Sequence, residues 1–423
     1  MWRFCTCTYK SVRAMITLAA AFSNEGDLRP LLDREVRHIR GRGAINVWGP
    51  ENGAAVTADA STSGDVGILI SDNRDACVAF ESDFHTHEPK LHKLCTKALV
   101  DVGRGAFDPV RLCKETVGEV TFIVAGKGHR WWAIRDAFGT TPLYYGWDRT
   151  WSCVRVSTSR DFLCSDIGGV HLVPAGHYVS YLTHMRPMPW YVDFVSHHSP
   201  SSTLECLLQK ATRKSIQTRC TDRTGIFILP TAASLLLSRT LAGLGITGLH
   251  TVVVRFICDD KSDTVEDEPP PSLHGVAVAF DRRAGLRVAR DILPLVTVED
   301  YKKALIDCVP FWFALAAAHR AGCRQLLVPY GNESAIRYDN VTRALDAAAM
   351  KRMGDMFNVR VKFPLLDVAL NEHAARFPHE TVSITKEEVR KPEPWADWHA
   401  SFEDWFLETA VACDRCELLK RLG

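Results

Sequence analysis

Short runs of apolar and β-branched residues, separated by turn-forming residues, recur through the first half of the chain. They cover residues 16–22, 66–70, 76–80, 117–125, 131–134, 154–158 and 178–182. Runs of this length between turns predict β-strands, and the scarcity of helical patterns between them favours antiparallel pairing. An amphipathic stretch through Leu32, Val36 and Ile39 predicts one helix after the first strand. We therefore expect an α+β sandwich in this half.

The spacing of apolar residues changes after residue 203. Helical periodicity now alternates with short apolar runs. The predicted helices are residues 204–216, 232–244, 284–291 and 301–321, and the predicted strands are residues 225–229, 252–257, 275–280, 293–296 and 325–329. Helices are expected to dominate from residue 339 onward. Alternating strands and helices predict an α/β fold with a doubly wound parallel sheet.

Length and composition agree with two folded domains. The chain has 423 residues, of which 46% are hydrophobic and 24% charged, as in ordinary globular proteins. Serine, histidine and proline are concentrated in residues 196–203, which predicts a linker between domains at 15–195 and 204–423. The net charge of +1 provides no overall attraction to nucleic acid, so such binding would need a local patch. No apolar run is long enough to span a membrane.

The first residues have the composition of a targeting segment. No acidic residue precedes Glu25, while Arg3, Lys10 and Arg13 alternate with apolar residues. Mitochondrial transit peptides have this basic, acid-poor pattern, and the alternative is an ordinary basic N-terminus. We interpret residues 1–14 as a mitochondrial targeting segment and expect the protein in the matrix. The 14 scattered cysteines fit a reducing compartment.

One long motif resembles a known family. Residues 135–146 read R-D-A-F-G-T-T-P-L-Y-Y-G, and this resembles the R-D-x-F-G-x-x-P-L-Y-Y-G segment of class II glutamine amidotransferase domains in the asparagine synthetase family. Residues 38–41, 156–163 and 173–178 resemble further family segments in the same order. The positions that we expect to serve as scaffold in this motif are Arg135, Asp136, Phe138, Gly139, Pro142 and Tyr144.

The resemblance continues into the second half. Residues 225–237 are similar to the strand and pyrophosphate loop of the family, residues 320–334 to the strand leading to G-E-G-A-D-E, and residues 361–367 to V-R-V-P-F-L-D. The resemblance implies an amidotransferase-like sandwich followed by an ATP pyrophosphatase-like domain. We therefore interpret the chain as a degenerate member of the asparagine synthetase family.

The positions that would hydrolyse glutamine are altered. The family opens M-C-G-I-x-G, whereas residues 15–20 read M-I-T-L-A-A, so Ile16 occupies the place of the nucleophilic cysteine. A hydrocarbon side chain cannot attack an amide. The family's oxyanion-binding asparagine and glycine correspond to Glu81 and Ser82, and a carboxylate would repel a developing oxyanion. Cys5 and Cys7 lie nearby but are displaced from the strand that carries the family cysteine.

The positions that would hold magnesium pyrophosphate are altered too. The family loop S-G-G-x-D-S-S corresponds to residues 229–235, in which both glycines are replaced. The changed positions are Leu229, Pro230, Thr231 and Ala233, whereas Ser234 is retained. Pro230 has no N–H for a phosphate, and Ala233 cannot bind metal. Glu333 keeps one carboxylate of the second loop. Lys386 resembles a family lysine that acts on the reaction intermediate, or it is a solvated lysine beside acidic residues.

These patterns predict a catalytically inactive protein with no resident cofactor or metal. We expect it to be a structural or assembly subunit of a mitochondrial complex, ribosomal or respiratory, with other protein subunits as partners. Two alternatives remain open at this point. One is a divergent, ATP-dependent amide synthetase that uses ammonia, and the other is a regulatory protein that senses a metabolite.

Overall fold

The computed structural model describes a defined set of residues in two compact units, Met1–Tyr191 and Val192–Gly423. The described residues are 18–23, 28, 45–48, 54–59, 65–72, 75–82, 89–116, 120–127, 130–158, 160–163, 169–191, 204–216, 224–228, 232–246, 249–257, 275–297, 301–330, 346–376 and 405–406. The expected targeting segment, the helix expected through Leu32 to Ile39, and the expected linker lie outside them.

The first unit contains two antiparallel sheets. Its described strands are β1 (Leu18–Ser23), β2 (Ile45–Trp48), β3 (Ala54–Asp59), β4 (Asp65–Ile70), β5 (Ala76–Ser82), β6 (Val120–Gly126), β7 (Arg130–Ile134), β8 (Tyr144–Asp148), β9 (Cys153–Ser157), β10 (His171–Leu172), β11 (His177–Ser180) and β12 (Met188–Pro189). The first sheet has the order β10-β8-β9-β1-β3-β2, and the second has the order β12-β11-β7-β6-β5-β4. An outermost strand in each sheet, β10 or β12, has only two residues.

The two sheets share a core because side chains alternate along each strand. Leu18, Ala20 and Phe22 of β1 belong to a buried cluster that also contains residues of β5, β6, β7, β9 and β11. The ring of Phe22 stacks on that of Trp131, with centroids 5.1 Å apart. The intervening residues Ala19 and Ala21 are buried on the other face of the first sheet. These contacts place the first sheet against the second.

Two helices that the sequence pattern did not reveal cover the outer face of the second sheet. Helix α1 (Pro89–Arg104) and helix α2 (Pro109–Glu115) contribute apolar residues to the cluster that includes β5, β6 and β7. The buried side of α1 has helical spacing and consists of Leu91, Cys95, Ala98, Leu99 and Val102. Asp108 caps α2 by accepting a hydrogen bond from the Val110 amide at 2.9 Å. The expectation of few helices in this half was therefore wrong.

The second unit contains the expected parallel sheet. Its strands are β13 (Thr224–Ile228), β14 (His250–Ile257), β15 (Gly275–Asp281), β16 (Gln325–Leu327) and β17 (Arg360–Lys362), in the order β15-β14-β13-β16-β17. Its described helices of at least two turns are α3 (Leu204–Ile216), α4 (Ala232–Gly243), α5 (Arg282–Ile292), α6 (Tyr301–Arg320), α7 (Ala347–Phe357) and α8 (Val368–Arg376). The α/β class of this half is confirmed.

One predicted strand of this unit is absent. Residues 293–296 contain a 3-10 helix, Leu293–Leu295, that directly follows α5 and ends where the Val296 amide bonds the Leu293 carbonyl at 3.3 Å. Pro294 lies in its first turn, where a missing N–H costs nothing, whereas in a strand it would remove a ladder hydrogen bond. Leu293 and Leu295 are buried, so the apolar pattern of residues 293–296 indicates packing in the core and not a strand.

Candidate functional site

The strand order of the parallel sheet locates a crevice. From β13 the chain moves outward through β14 and β15, and it then returns to the opposite side of β13 to form β16 and β17. The segments that follow β13 and β16 therefore leave neighbouring strands in opposite directions. Sheets of this kind bind ligands at the carboxyl ends of the strands where the order reverses. We take these two segments as the candidate site.

The segment after β13 leads into α4. Leu229, Pro230 and Thr231 lie outside the described residues, and α4 begins at Ala232. Ser234 lies in the first turn and its side chain is buried. Ala233 is half-buried and packs against a leucine cluster that includes Leu204 of α3 and Leu370 of α8. The first turn of α4 is thus partly used for packing, although its amides carry the partial positive charge of a helix N-terminus.

The segment after β16 is tied to its surroundings by two hydrogen bonds. The Val328 amide donates to the Lys362 carbonyl at 2.9 Å. The Tyr330 hydroxyl donates to Oδ1 of Asp307 at 3.2 Å, and Asp307 is only 2% exposed within α6. Glu333, expected from the sequence to be the retained carboxylate of the second loop, lies outside the described residues, as does Lys386.

A second buried carboxylate lies close to α6. Asp346 caps α7 by accepting from the Ala349 amide at 2.9 Å, and it also accepts from the Thr297 hydroxyl at 2.8 Å and from the Thr297 amide. Burial raises the pKa of the Cys308 thiol well above its ordinary value, and the charges of Asp346 and Asp307 raise it further. This thiol is therefore held protonated and is a poor nucleophile.

These carboxylates have hydrogen-bond partners within the protein. Among the residues that the structure describes, no group of three or more histidine, cysteine, aspartate or glutamate side chains is placed to hold an ion. Sequence analysis missed Asp307 and Asp346. The available signal was the position of Asp307 inside the apolar run of α6, since a lone acidic residue there must find a buried partner.

In the first unit, Glu81 and Ser82 are the last two residues of β5. Glu81 pairs with Thr121 of β6, Ser82 pairs with Val120, and the Ser82 side chain is 2% exposed. Ile16 lies outside the described residues. The first described residue of β1, Leu18, donates its amide to the Thr158 hydroxyl at 3.1 Å and accepts from the Ser157 hydroxyl at 3.0 Å. Backbone groups at the start of β1 are therefore engaged by the end of β9.

The expected scaffold residues lie in or beside one of the connections between the two sheets. The segment from Arg135 to Leu143 links β7 of the second sheet to β8 of the first. Arg135 is buried and donates to the carbonyls of Gly139 at 2.6 Å, Val173 at 2.8 Å and Thr141 at 2.9 Å. One guanidinium group thus binds three backbone carbonyls, two within this segment and one at Val173, because its five N–H donors are held in a planar fork.

Asp136 complements this arrangement. Its buried carboxylate accepts from the amides of Thr140 at 2.9 Å, Thr141 at 3.1 Å and Phe138 at 3.2 Å. Gly139 adopts a φ of +65°, and a methyl group there would lie 2.8 Å from the guanidinium carbon of Arg135. We refer to the segment from Arg135 to Leu143 as the inter-sheet connection.

The remaining scaffold positions anchor the two ends of this connection. Pro142 is buried, and Tyr144 opens β8 with its side chain inside the cluster on the outer face of the first sheet. Phe138 is half-buried, with its ring centroid 6.0 Å from that of Tyr191. The Trp190 indole donates to the Arg135 carbonyl at 2.8 Å. The chemistry of the motif is thus that of a rigid corner, and none of these side chains is a nucleophile.

The fold and the site define two units, one an α/β unit with a switch-point crevice and the other built from two stacked antiparallel sheets. Of the helices within the described ranges, none combines the length and apolar character needed to cross a bilayer. No protein-family model matches the chain, and no curated protein sequence matches it.

Among solved structures, the chain has a weak similarity to the U34-tRNA thiolase NcsA from Methanococcus maripaludis with its 4Fe-4S cluster. The identity is 9%, the match covers 52% of this chain and 79% of the thiolase, and the TM-score is 0.22. A similarity of this size identifies neither a fold nor a function for this chain.

Proposed function

We propose that the chain is a catalytically inactive protein with the two-domain architecture of the asparagine synthetase family, acting as a structural or assembly subunit of a mitochondrial complex. The observation that carries the proposal is the inter-sheet connection. Arg135 and Asp136 hold that corner through six hydrogen bonds to backbone carbonyls and amides of Gly139, Val173, Thr141, Thr140 and Phe138. The best preserved motif of the chain thus has a purely architectural role.

The absence of glutaminase activity follows from side-chain chemistry. The position that resembles the nucleophile holds Ile16, which has neither a thiol nor a hydroxyl. Glu81, at the end of β5, places a carboxylate at a position where the family has an oxyanion donor. Loss of one such donor costs about 10²- to 10³-fold in rate, and a negative charge adds repulsion. Two independent requirements of the reaction are therefore missing.

The absence of adenylation follows from the segment after β13. Pro230 removes one backbone donor from the loop that would cradle phosphates, and Thr231 adds a branched side chain where the family has glycine. Ala233 packs against leucines instead of offering a carboxylate. The buried carboxylates nearest in sequence to the second loop, Asp307 and Asp346, are engaged by Tyr330 and Thr297.

A structural role gives a reason for retaining such a fold. A chain that contributes surface to an assembly needs its sheets and connections, and it does not need its nucleophile or its phosphate loop. The first residues are basic and contain no aspartate or glutamate before Glu25, which favours import into mitochondria. The large assemblies there to which such a subunit could belong are the ribosomal and respiratory complexes.

The decisive experiment is native purification of the tagged full-length chain from mitochondria, followed by sizing and mass spectrometry of every co-eluting protein. Migration within a defined particle of megadalton size, with a constant set of partners, supports the proposal. Elution as a monomer or homodimer contradicts it. A tagged matrix enzyme of similar mass, prepared in parallel, shows which co-eluting proteins are background.

One observation favours a second candidate, in which the crevice binds a nucleotide or another metabolite. Ser234 keeps the family's hydroxyl in the first turn of α4, at the carboxyl edge of the sheet where the strand order reverses. Such binding would serve either a divergent amide synthetase that uses ammonia and Lys386, or a metabolite sensor. Release of pyrophosphate by the purified protein, given ATP, magnesium, aspartate and ammonia, distinguishes the synthetase from the sensor.

A further inference from the structure

The exposed side of α1 carries a row of cations that the proposed function does not explain. Four basic residues, which we name the α1 basic ridge, are exposed along this helix: Lys90, Lys93, Lys97 and Arg104. At 100° per residue, Lys93, Lys97 and Arg104 fall within a narrow stripe opposite the buried Cys95 and Val102. The row extends over about 21 Å at 1.5 Å per residue.

The neighbouring acidic residues neutralise this row only in part. Lys97 pairs with Glu115 of α2 at 3.0 Å, and both groups remain partly exposed. Asp101 pairs with Arg111, which belongs to α2 and lies outside the ridge. Residues 89–116 contain six lysines and arginines but three acidic residues, while the whole chain has a net charge of only +1. Positive charge is therefore concentrated on this helical layer.

The C-terminal end of the ridge is extended by a further cation. A methyl group built on Gly105 would lie 3.2 Å from Nη1 of Arg130, so this guanidinium lies beside the end of α1. The Arg130 Nε donates to the Lys127 carbonyl at 2.9 Å, which holds the side chain along the protein surface. Arg104 and Arg130 together place two guanidinium groups at this end.

Gly103 leaves the backbone of the helix open on its exposed side. It lies on the exposed side of α1, and a methyl group added there would meet nothing within 4 Å. Glycine inside a helix is less stable than alanine by about 1 kcal/mol, and intramolecular packing at this position gives no compensation. A partner surface that contacts the backbone of the helix accounts for glycine, since a side chain would hold that surface away.

The chemistry of the ridge distinguishes between partner classes. Stable protein interfaces are typically centred on buried, large anchoring side chains. On the exposed side of α1 the large apolar residue is Val100, 46% exposed, which stands between Lys97 and Arg104. Lysines and an arginine at regular intervals on a convex helix suit the phosphates that border a nucleic-acid groove, because these contacts need charge and need no base-specific geometry.

We infer that the α1 basic ridge binds the phosphodiester backbone of a nucleic acid. The ion pair between Lys97 and Glu115 does not prevent this binding. Exposed ion pairs are weak, so Lys97 can leave Glu115 and contact a phosphate. Binding of this kind depends on charge and shape and not on base sequence. Each cation that contacts a phosphate releases a counterion from the nucleic acid. The inference does not depend on whether the chain is catalytically inactive.

The test measures binding of the purified full-length chain to a fluorescent RNA duplex and to a DNA duplex of the same sequence, by anisotropy at several salt concentrations. With four phosphate contacts, affinity falls on the order of a hundredfold between 50 and 200 mM salt. The variant Lys93→Gln/Lys97→Gln/Arg104→Gln should bind at least about tenfold more weakly at 100 mM salt and should show a shallower salt dependence. Glutamine preserves helix propensity, so the fold should persist.

A matched control removes the same charge elsewhere. Arg283, Arg287 and Lys303 are exposed residues of the second unit, and Arg283→Gln/Arg287→Gln/Lys303→Gln should bind like the wild type. If the ridge variant does not fold, Lys93→Glu, a single exposed change, should weaken binding by the same mechanism. Preference for one duplex identifies RNA or DNA as the source of the phosphates, and equal binding identifies the backbone alone.

Three outcomes would overturn the inference. The first is wild-type affinity in the folded ridge variant, which would place any binding elsewhere. The second is the lack of measurable binding of either duplex at 50 mM salt. The third is binding of polyglutamate by the ridge in preference to both duplexes, which would identify an acidic protein segment as the partner. Native sizing of the chain is a separate measurement, so failure here leaves the proposed function standing.

Discussion

Arg155 and Asp148 form an ion pair inside the first sheet, with Nη1 3.2 Å from Oδ2 and both side chains completely buried. Asp148 also accepts from the amides of Thr150 and Trp151 at 2.9 and 3.1 Å, so it fixes the turn between β8 and β9. A buried pair stabilises a fold only while both charges are present, because either one alone lacks the compensation for its lost hydration.

We therefore expect Asp148→Asn to destabilise the sandwich by about 3–5 kcal/mol, since it leaves a buried guanidinium without its counter-charge. Denaturant unfolding of the full chain measures the change. Asp72→Asn, at an exposed position, serves as the control and should have almost no effect. Equal stabilities of the two variants would show that the buried pair does not matter.

The inter-sheet connection should be sensitive to one methyl group. In Gly139→Ala the new carbon would lie 2.8 Å from Arg135 and 3.0 Å from Ala175, in addition to adopting a φ of +65°. We expect a loss of about 2–4 kcal/mol, of which roughly 1–2 kcal/mol comes from the backbone conformation alone.

The control for this change is Gly105→Ala in the same unit. Gly105 has a φ of +73°, but a methyl group there meets only the end of the flexible Arg130 side chain, at 3.2 Å. The free energy of unfolding of this variant should therefore fall only by the cost of the left-handed backbone conformation, roughly 1–2 kcal/mol. Thermal unfolding of both variants checks the difference, and an equal loss would mean that Arg135 moves aside without cost.

Stability should fall at alkaline pH because of buried thiols. Burial raises the pKa of Cys95 from its ordinary value of 9.0 to about 12. The unfolded thiol ionises near pH 9 while the folded thiol stays protonated, so the contribution is fully present below pH 9 and is lost as the pH rises toward 12. The loss for this thiol approaches about 1.4 kcal/mol per pH unit in that window.

The measurement compares denaturant unfolding of the wild type and of Cys95→Ala between pH 8 and pH 11. The stability difference between them should shrink as the pH rises, because the variant lacks the ionising group. Val102→Ala removes buried apolar volume from the same side of α1 and should keep a constant difference from the wild type. A constant difference for Cys95→Ala as well would contradict the raised pKa.

Asp346 should stabilise the fold more than an ordinary helix-capping residue does. Asp346→Ala removes the bond to the Ala349 amide and both bonds from Thr297, so we expect a loss of about 2–4 kcal/mol. Asp281→Ala removes the cap of α5, a bond to the Ala284 amide at 2.7 Å, and should cost about 1 kcal/mol. Denaturant unfolding of both variants tests this order, and equal losses would show that Thr297 finds another acceptor.

Magnesium ATP should leave the melting temperature unchanged if the crevice holds no nucleotide. A ligand present at 100 times its dissociation constant would stabilise the protein by about 2.7 kcal/mol, enough for a clear shift. Thermal unfolding with and without millimolar magnesium ATP makes the comparison. A shift that disappears in Ser234→Ala would support the second candidate function and count against the first.

Much of the α/β unit could be predicted from sequence because its elements have a strong period. Helix α3 occupies the predicted residues, and the centre of every strand from β13 to β16 lies within or beside its predicted run. Strand β17 was missed because three residues give no period, although residues 361–367 resemble a family segment. The 3-10 helix at Leu293–Leu295 shows that buried apolar residues do not distinguish a strand from a tight turn.

Helices α1 and α2 were missed for a different reason. Only one side of α1 is apolar. Lysines and a histidine lie between its apolar residues, so the segment contains no long continuous apolar run. A longer window would have shown Leu91, Cys95, Ala98 and Val102 on one face. A structural role of Arg135 could be expected from its motif, but the Val173 carbonyl could not be expected as an acceptor, because Val173 is remote in sequence.

The candidate site was the least predictable part. The order of strands β13 and β16, which places the crevice, depends on long-range pairing that a single sequence does not reveal. The partners of Asp307 and Asp346, Tyr330 and Thr297, are likewise set by tertiary packing.

The two-residue outer strands of the sandwich limit how copies of this protein can meet. A sheet grows when another chain pairs with the exposed backbone of its last strand, and β10 and β12 are too short to guide such pairing. Pro189, the last residue of β12, also has no N–H to donate. Among the described strands, β2 and β4 are therefore the edges long enough to pair with another chain.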